Sequence, residues 1–160
     1  MDIPAGCRHP PGAPWSGTAL ASHEGARIVT PSISSIDLSS LTLVAWEVRS
    51  RARVHGPTRV GCAVLSIDGG IWGGCNVEHR FRSHDVHAEV NALSSMVANG
   101  GTQALALLVA AERRRFTPCG ACLDWIFELG GPQAFVGFQS SPVSDIEWRS
   151  AEALMPFYPS

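Results

Sequence analysis

Two short blocks constrain this chain more than anything else in it: His87-Ala88-Glu89 and Pro118-Cys119-Gly120-Ala121-Cys122. His87, Cys119 and Cys122 offer one imidazole and two thiolates, a donor set that suits tetrahedral Zn²⁺. Three protein ligands leave the fourth position open to water, as catalytic zinc sites do; structural sites close with four. If the donors serve one ion, the fold must bring the starts of two distant segments to a point. Residues two apart on a helix do not share a face. Glu89 is therefore a poor further ligand to the ion that His87 holds, but is well placed to handle protons on a bound water.

The chain has 160 residues, enough for about one domain with a real core. A formal charge of −2 gives no general attraction to phosphate backbones, so a nucleic-acid polymer is not an expected partner. No apolar run approaches the length of a membrane span. Pro4, Pro10, Pro11 and Pro14 interrupt the stretch where a secretory signal would need unbroken apolar residues. The five cysteines, an odd number, argue for reduced thiols and a cytoplasmic location rather than a disulfide framework.

Residues 1–35 are rich in Pro, Gly and Ser and read as an arm-like or poorly ordered extension. Cys7, His9 and His23 lie there without metal-ligand spacing and read as scattered polar residues. Residues 36–160 form the catalytic domain in this reading. A first helix starts near Asp37 or Ser39, with Leu41, Val44, Ala45 and Val48 at helical spacing; Glu47, Arg49, Arg51 and Arg53 then form a solvated face. Val60 to Ile67 and Ile71 to Val77 read as a hairpin around Asp68-Gly69-Gly70. Glu78 to Val86 is a polar loop.

A helix follows from about Val86 to Asn99, and Gly100-Gly101 stop it. Leu105 to Ala111 reads as a strand covered on both faces. Cys119 opens a helix running through Leu129, Ala134 to Phe138 is a strand, Ser144 to Trp148 a short edge strand, and Ala151 to Leu154 a brief helix. This order predicts an α/β fold, a mixed sheet of about five strands in an α/β/α sandwich. Both donor blocks then lie at helix starts that follow strands, where open α/β sheets hold their ligands.

Helix N-termini carry partial positive charge and free N–H groups, an environment expected to keep Cys119 and Cys122 ionised. Water on a catalytic zinc reaches a pKa of about 7. With Glu89 shuttling protons, hydroxide attack on an amidine-like C–NH₂ carbon and loss of ammonia amounts to hydrolytic deamination. Two other readings of the same residues remain open. A structural zinc would need a fourth ligand such as His84, His79 or Cys75, and a lone Cys-x-x-Cys also serves as a redox pair.

The pattern His-x-Glu followed by Pro-Cys-x-x-Cys is that of the zinc deaminases. From about Val60 onward the chain resembles the cytidine deaminase family in four blocks: Val60-Gly61-Cys62-Ala63-Val64-Leu65, Gly74-Cys75-Asn76-Val77-Glu78, and the two donor blocks. The resemblance implies the three-layer cytidine-deaminase-like fold, Zn²⁺ held by His87, Cys119 and Cys122, and Glu89 as the catalytic acid–base. It implies sugar contacts from Asn76 and Glu78. The Ala88 N–H and the Cys119 carbonyl would meet the pyrimidine edge. Phe157, in an ending similar to the family's Leu-Pro-x-x-Phe, would lie near a neighbouring subunit's site. A small-molecule nucleoside is the implied substrate, and a homo-oligomer, a tetramer or a dimer, the implied assembly.

Several positions depart from the family pattern. Small members often have three cysteine ligands together with arginines after the Glu and after the second Cys of Cys-x-x-Cys; here His87 stands with Val90 and Leu123. Replacing a thiolate by imidazole removes a negative charge, so these differences belong together. The base-stacking aromatic before the Val-Gly block is absent and Thr58 stands there, leaving Phe81 or Trp72 as candidate apolar walls. Cytidine or deoxycytidine is the first substrate expectation. A modified aminopyrimidine nucleoside, as for the blasticidin-type deaminases, is the second; a non-catalytic zinc-binding protein is the alternative of another class.

Overall fold

The structure is a computed structural model and describes residues 37–114 and 117–158. The expected N-terminal extension, with Cys7, His9 and His23, lies outside the described residues.

Helix α1 (Leu38–Ser50) begins where Asp37 accepts a hydrogen bond from the Ser40 N–H at 3.1 Å, an N-cap that satisfies one orphan donor. Strand β1 (Gly61–Ser66) turns back into β2 (Ile71–Cys75) through a turn in which Gly69 takes a positive φ of 87°, open to a residue without Cβ. Helix α2 (Ala88–Ala98) leads to β3 (Ala104–Ala110), and α3 (Gly120–Gly130) to β4 (Phe135–Gln139). Strand β5 (Glu147–Ser150) and the short α4 (Ala151–Leu154) complete the described chain.

The sheet order is β2-β1-β3-β4-β5. Only β3 and β4 pair in parallel, and the other neighbours are antiparallel, so the sheet is mixed as expected. Alternation along the strands sorts side chains onto two faces. Cys62 and Val64 of β1 and Leu107 and Val109 of β3 pack against Leu93 and Met96 of α2 and Ile126 of α3. Ala63, Leu65, Ala106 and Leu108 point the other way, onto Leu41 and Ala45 of α1. The result is a three-layer α/β/α sandwich. Leu93, Leu107 and Ile126 are almost wholly buried, each burial contributing roughly 1.5–3 kcal/mol.

The elements match the sequence expectation in kind, with shifts at their ends. β2 stops at Cys75 rather than Val77, because the chain there leaves β1 for new partners: Val77 bridges Arg53 on one side and Val86 on the other. β5 is Glu147–Ser150 rather than Ser144–Trp148, since its register is set by β4, pairing Phe135 with Ser150 and Gly137 with Trp148. Ser144 instead closes a turn onto Ser141 and accepts, through its carbonyl, from Gln139. The loop after Glu78 contains one 3₁₀ turn, Arg82–His84, that sequence periodicity did not signal. Arg49 of the exposed α1 face is paired with Glu112 at 3.0 Å.

Gly74 sets how closely α2 approaches the sheet. A Cβ there would meet the Ala92 nitrogen at 2.2 Å and the Ala88 carbonyl oxygen at 2.8 Å. The bare backbone lets α2 lie directly on β2, and the Asn91 amide ties the pair together by donating to the Cys75 carbonyl at 2.9 Å. The start of α2 is thereby fixed above the end of β2.

Candidate metal centre and active site

His87 is the N-cap of α2 and Cys119 the N-cap of α3; both have extended backbone, and neither side chain caps its own helix. Their side chains are free to turn toward each other. His87 Nδ1 lies 3.4 Å from Cys119 Sγ and 3.3 Å from Cys122 Sγ, and the two sulfurs are 3.6 Å apart. Tetrahedral zinc with ordinary Zn–N and Zn–S bonds requires about 3.5 Å between nitrogen and sulfur and about 3.8 Å between sulfurs. The donor set therefore fits zinc in both chemistry and spacing.

Among the described residues, no fourth His, Cys, Asp or Glu donor lies within 4.8 Å of all three. His79, His84 and Cys75 stay out of the group, so the closed four-ligand arrangement does not form. A ring nitrogen at this distance from both sulfurs also speaks against a simple redox pair.

Glu89, one residue into the first turn of α2 beyond Ala88, is 2% exposed. Burial pushes its carboxyl up from the ordinary value, against the opposing pull of a main-chain hydrogen bond, of His87 and of a hydrogen bond with the Cys122 thiol. The Cys122 thiol is pushed well above its usual range, first by burial and then by Glu89 and Cys119. The helix N-terminus alone does not keep this sulfur ionised, contrary to the sequence expectation. A divalent cation must supply the missing positive charge.

These groups form the deep wall of a cavity of about 380 Å³. Ala88, buried and in the first turn, lines it beside His87, Glu89 and Cys119. The Cys119 carbonyl already accepts from the Leu123 N–H at 2.9 Å, which leaves one lone pair free.

The opposite wall is the loop Gly56-Pro57-Thr58, and Asn76 and Glu78 hold it in place. The Asn76 side chain accepts from the Val60 N–H at 2.8 Å and donates to the Thr58 carbonyl at 3.0 Å. Glu78 Oε2 accepts from the main-chain N–H groups of His55 at 2.5 Å and Gly56 at 3.0 Å. Arg82 grips the same carboxylate, Nη1 to Oε2 at 2.9 Å and Nη2 to Oε1 at 3.2 Å, while its Nε reaches Asp85 Oδ2 at 2.8 Å. Asp85 in turn accepts from the His79 N–H at 2.7 Å. One carboxylate thus joins the loops on both sides of the cavity mouth. The hydrogen bonds from Gly56 and His55, and then Arg82, hold the Glu78 carboxyl below its ordinary range.

Asn76, Glu78, Ala88 and Cys119 therefore share one cavity with the metal donors. Phe157 does not join them; it stands 95% exposed, outside the cavity lining. Neither candidate apolar wall reaches the cavity. Trp72 packs against the core beneath α2, and Phe81 projects outward among His79 and His84 with Arg80 over its ring. Sequence reasoning missed the pairing of Arg82 with Glu78 and Asp85. The available signal was spacing: an arginine four residues after one acid and three before another.

The family described as the cytidine and deoxycytidylate deaminase zinc-binding region matches residues 36–138. This chain belongs to that family. The deaminase is 32% identical over 123 residues to a cytidine deaminase of Sporosarcina psychrophila, covering 76% of this chain and 90% of the relative. Its fold resembles the crystal structure of cytidine deaminase from Burkholderia pseudomallei, with a TM-score of 0.69 at 30% identity over 76% of this chain and 98% of that one. Cytidine deaminase from Mycobacterium tuberculosis superposes with a TM-score of 0.65 at 28% identity, covering 76% and 96%. No helix among the described residues of the deaminase is long and apolar enough to cross a membrane.

Proposed function

We propose that this chain is a zinc-dependent hydrolase that deaminates cytidine or deoxycytidine, releasing ammonia and the uridine form. The observation that carries the reading is the three-donor cluster of His87, Cys119 and Cys122 with the buried Glu89 beside it. When bound, zinc supplies a water acidic enough to yield hydroxide near neutral pH.

The protein's own residues then have distinct tasks. Glu89 holds a proton in a nearly dry site and passes it first to the ring nitrogen next to the amino-bearing carbon, then to the departing amine. Its raised carboxyl suits both acceptance and return of that proton. The Ala88 N–H and the second lone pair of the Cys119 carbonyl face the pyrimidine edge. Asn76 and Glu78 take the sugar hydroxyls with the acceptor capacity their loop contacts leave over. Phe157, in this reading, covers the site of a neighbouring subunit in a homotetramer or dimer, and the exposed Trp125 and Phe157 are consistent with such contacts. Four free cysteines among the described residues fit a reducing cytoplasm.

The test is ammonia release from cytidine and deoxycytidine by the zinc-loaded protein, with uridine or deoxyuridine identified by mass. Glu89→Gln should retain zinc and lose turnover. A zinc-loaded protein that converts neither substrate refutes the reading.

A further inference from the structure

Arg113 follows β3 and lines the same cavity as Glu89 and Cys119. Its Nη2 donates to the Thr58 hydroxyl on the facing wall. The cavity rim carries two carboxylates, Glu78 and Asp85, and two guanidinium groups, Arg82 and Arg113. Their pairing is uneven. Arg82 is bonded to both acids, and Glu112, beside Arg113 in sequence, is paired with Arg49. Among the described residues, no carboxylate forms an ion pair with Arg113.

A guanidinium has five N–H donors in a rigid fork matched to carboxylate or phosphate, and a single hydroxyl partner leaves most of them unused. The space beyond is open. A second cavity of about 460 Å³ shares Arg113 and Thr117 with the first and carries Arg114 and Arg149 as well as Asp145 and Glu147.

We propose that Arg113 is a specificity-determining residue that receives an oxyanion, a phosphate or a carboxylate, borne by the sugar of the cytosine nucleoside. The inference rests on the deaminase reading above. The substrate class becomes an anionic cytosine nucleoside, with neutral cytidine the poorer member. In the anion's absence the Thr58 hydroxyl holds the guanidinium across the mouth.

The experiment compares cytidine, cytidine 5′-monophosphate and the 5′-carboxylic acid of cytidine, as substrates of the zinc-loaded protein and as calorimetric ligands of Glu89→Gln. At low salt one of the two anions is expected to exceed cytidine in kcat/KM and in affinity by roughly ten- to hundredfold, as a charge-assisted contact provides. Which anion does so identifies the group. The preference should shrink with added salt, fall to near unity in Arg113→Ala and survive in part in Arg113→Lys. Binding of both anions no tighter than that of cytidine, or a preference intact in Arg113→Ala, overturns the proposal. Absence of turnover with all three compounds refutes the deaminase reading separately, and the calorimetric comparison still decides the anion site.

Discussion

The two walls of the cavity are built on different principles. The deep wall takes its donors from the first turns of α2 and α3, with Glu89 and Cys122 buried among packed helices. The outer wall is loop, and its shape depends on side chains reaching back to main chain: Asn76 to residues 58 and 60, Glu78 to residues 55 and 56, and Arg82 to Glu78 and Asp85. The deep wall is fixed by the sandwich and is specific for chemistry. The rim is fixed by a few polar contacts and governs what the chemistry is offered. Damage to the first should therefore appear in kcat and metal content, damage to the second in KM.

The largest effect is expected from Cys122→Ala, which removes a ligand from the deepest point of the site. Turnover should drop to background and the zinc content, read by plasma emission, should fall with it. Glu89→Gln comes next, with kcat lower by about 10²–10⁴-fold at full zinc occupancy. Loss of zinc in that variant would place Glu89 among the ligands and blur the division between the walls.

Glu78→Gln should act at the rim, raising KM for the nucleoside about tenfold through weakened charge-assisted bonds, with kcat changed far less. Arg82→Ala should raise KM by only about threefold, because the guanidinium is 63% exposed and exposed pairs contribute little. An equal fall in kcat for either rim variant would break the comparison.

The smallest effect concerns pH. The Glu78 carboxyl is held below its ordinary value, so its contribution to stability is complete above the unfolded-state value and is lost as pH falls through the folded one. The difference in Tm between the wild type and Glu78→Gln should be constant at neutral pH and vanish well below about pH 4. A difference that grows on acidification has the wrong sign and would sink the assignment.

The deep wall is legible in the sequence and the rim only in part. His87, Cys119 and Cys122 announce themselves because ligation demands fixed residue types at fixed spacing near helix starts. The strands of the core are equally plain, since runs such as Leu105 to Ala111 must be buried on both faces. Local pattern misplaces β5 because its register belongs to β4, a long-range pairing that no neighbouring residues encode. Composition alone offers Trp72 and Phe81 as cavity walls, whereas strand alternation sends one into the core and the 3₁₀ turn sends the other to solvent. Asn76 and Glu78 are marked by resemblance. Their hold on the loop around residues 55–60 depends on the Arg53–Val77 bridge, which closes only in three dimensions.

That His87 and Cys119 occupy N-cap positions without capping their helices reaches beyond catalysis. Most helices begin under the protection of a serine, threonine or aspartate oxygen of their own. Two of the helices here surrender that safeguard and rely on a shared ion to anchor their opening turns. A chain synthesised during zinc scarcity would consequently emerge with both of these helix starts frayed, and supply of the metal would set how much of the protein matures as well as how fast it works.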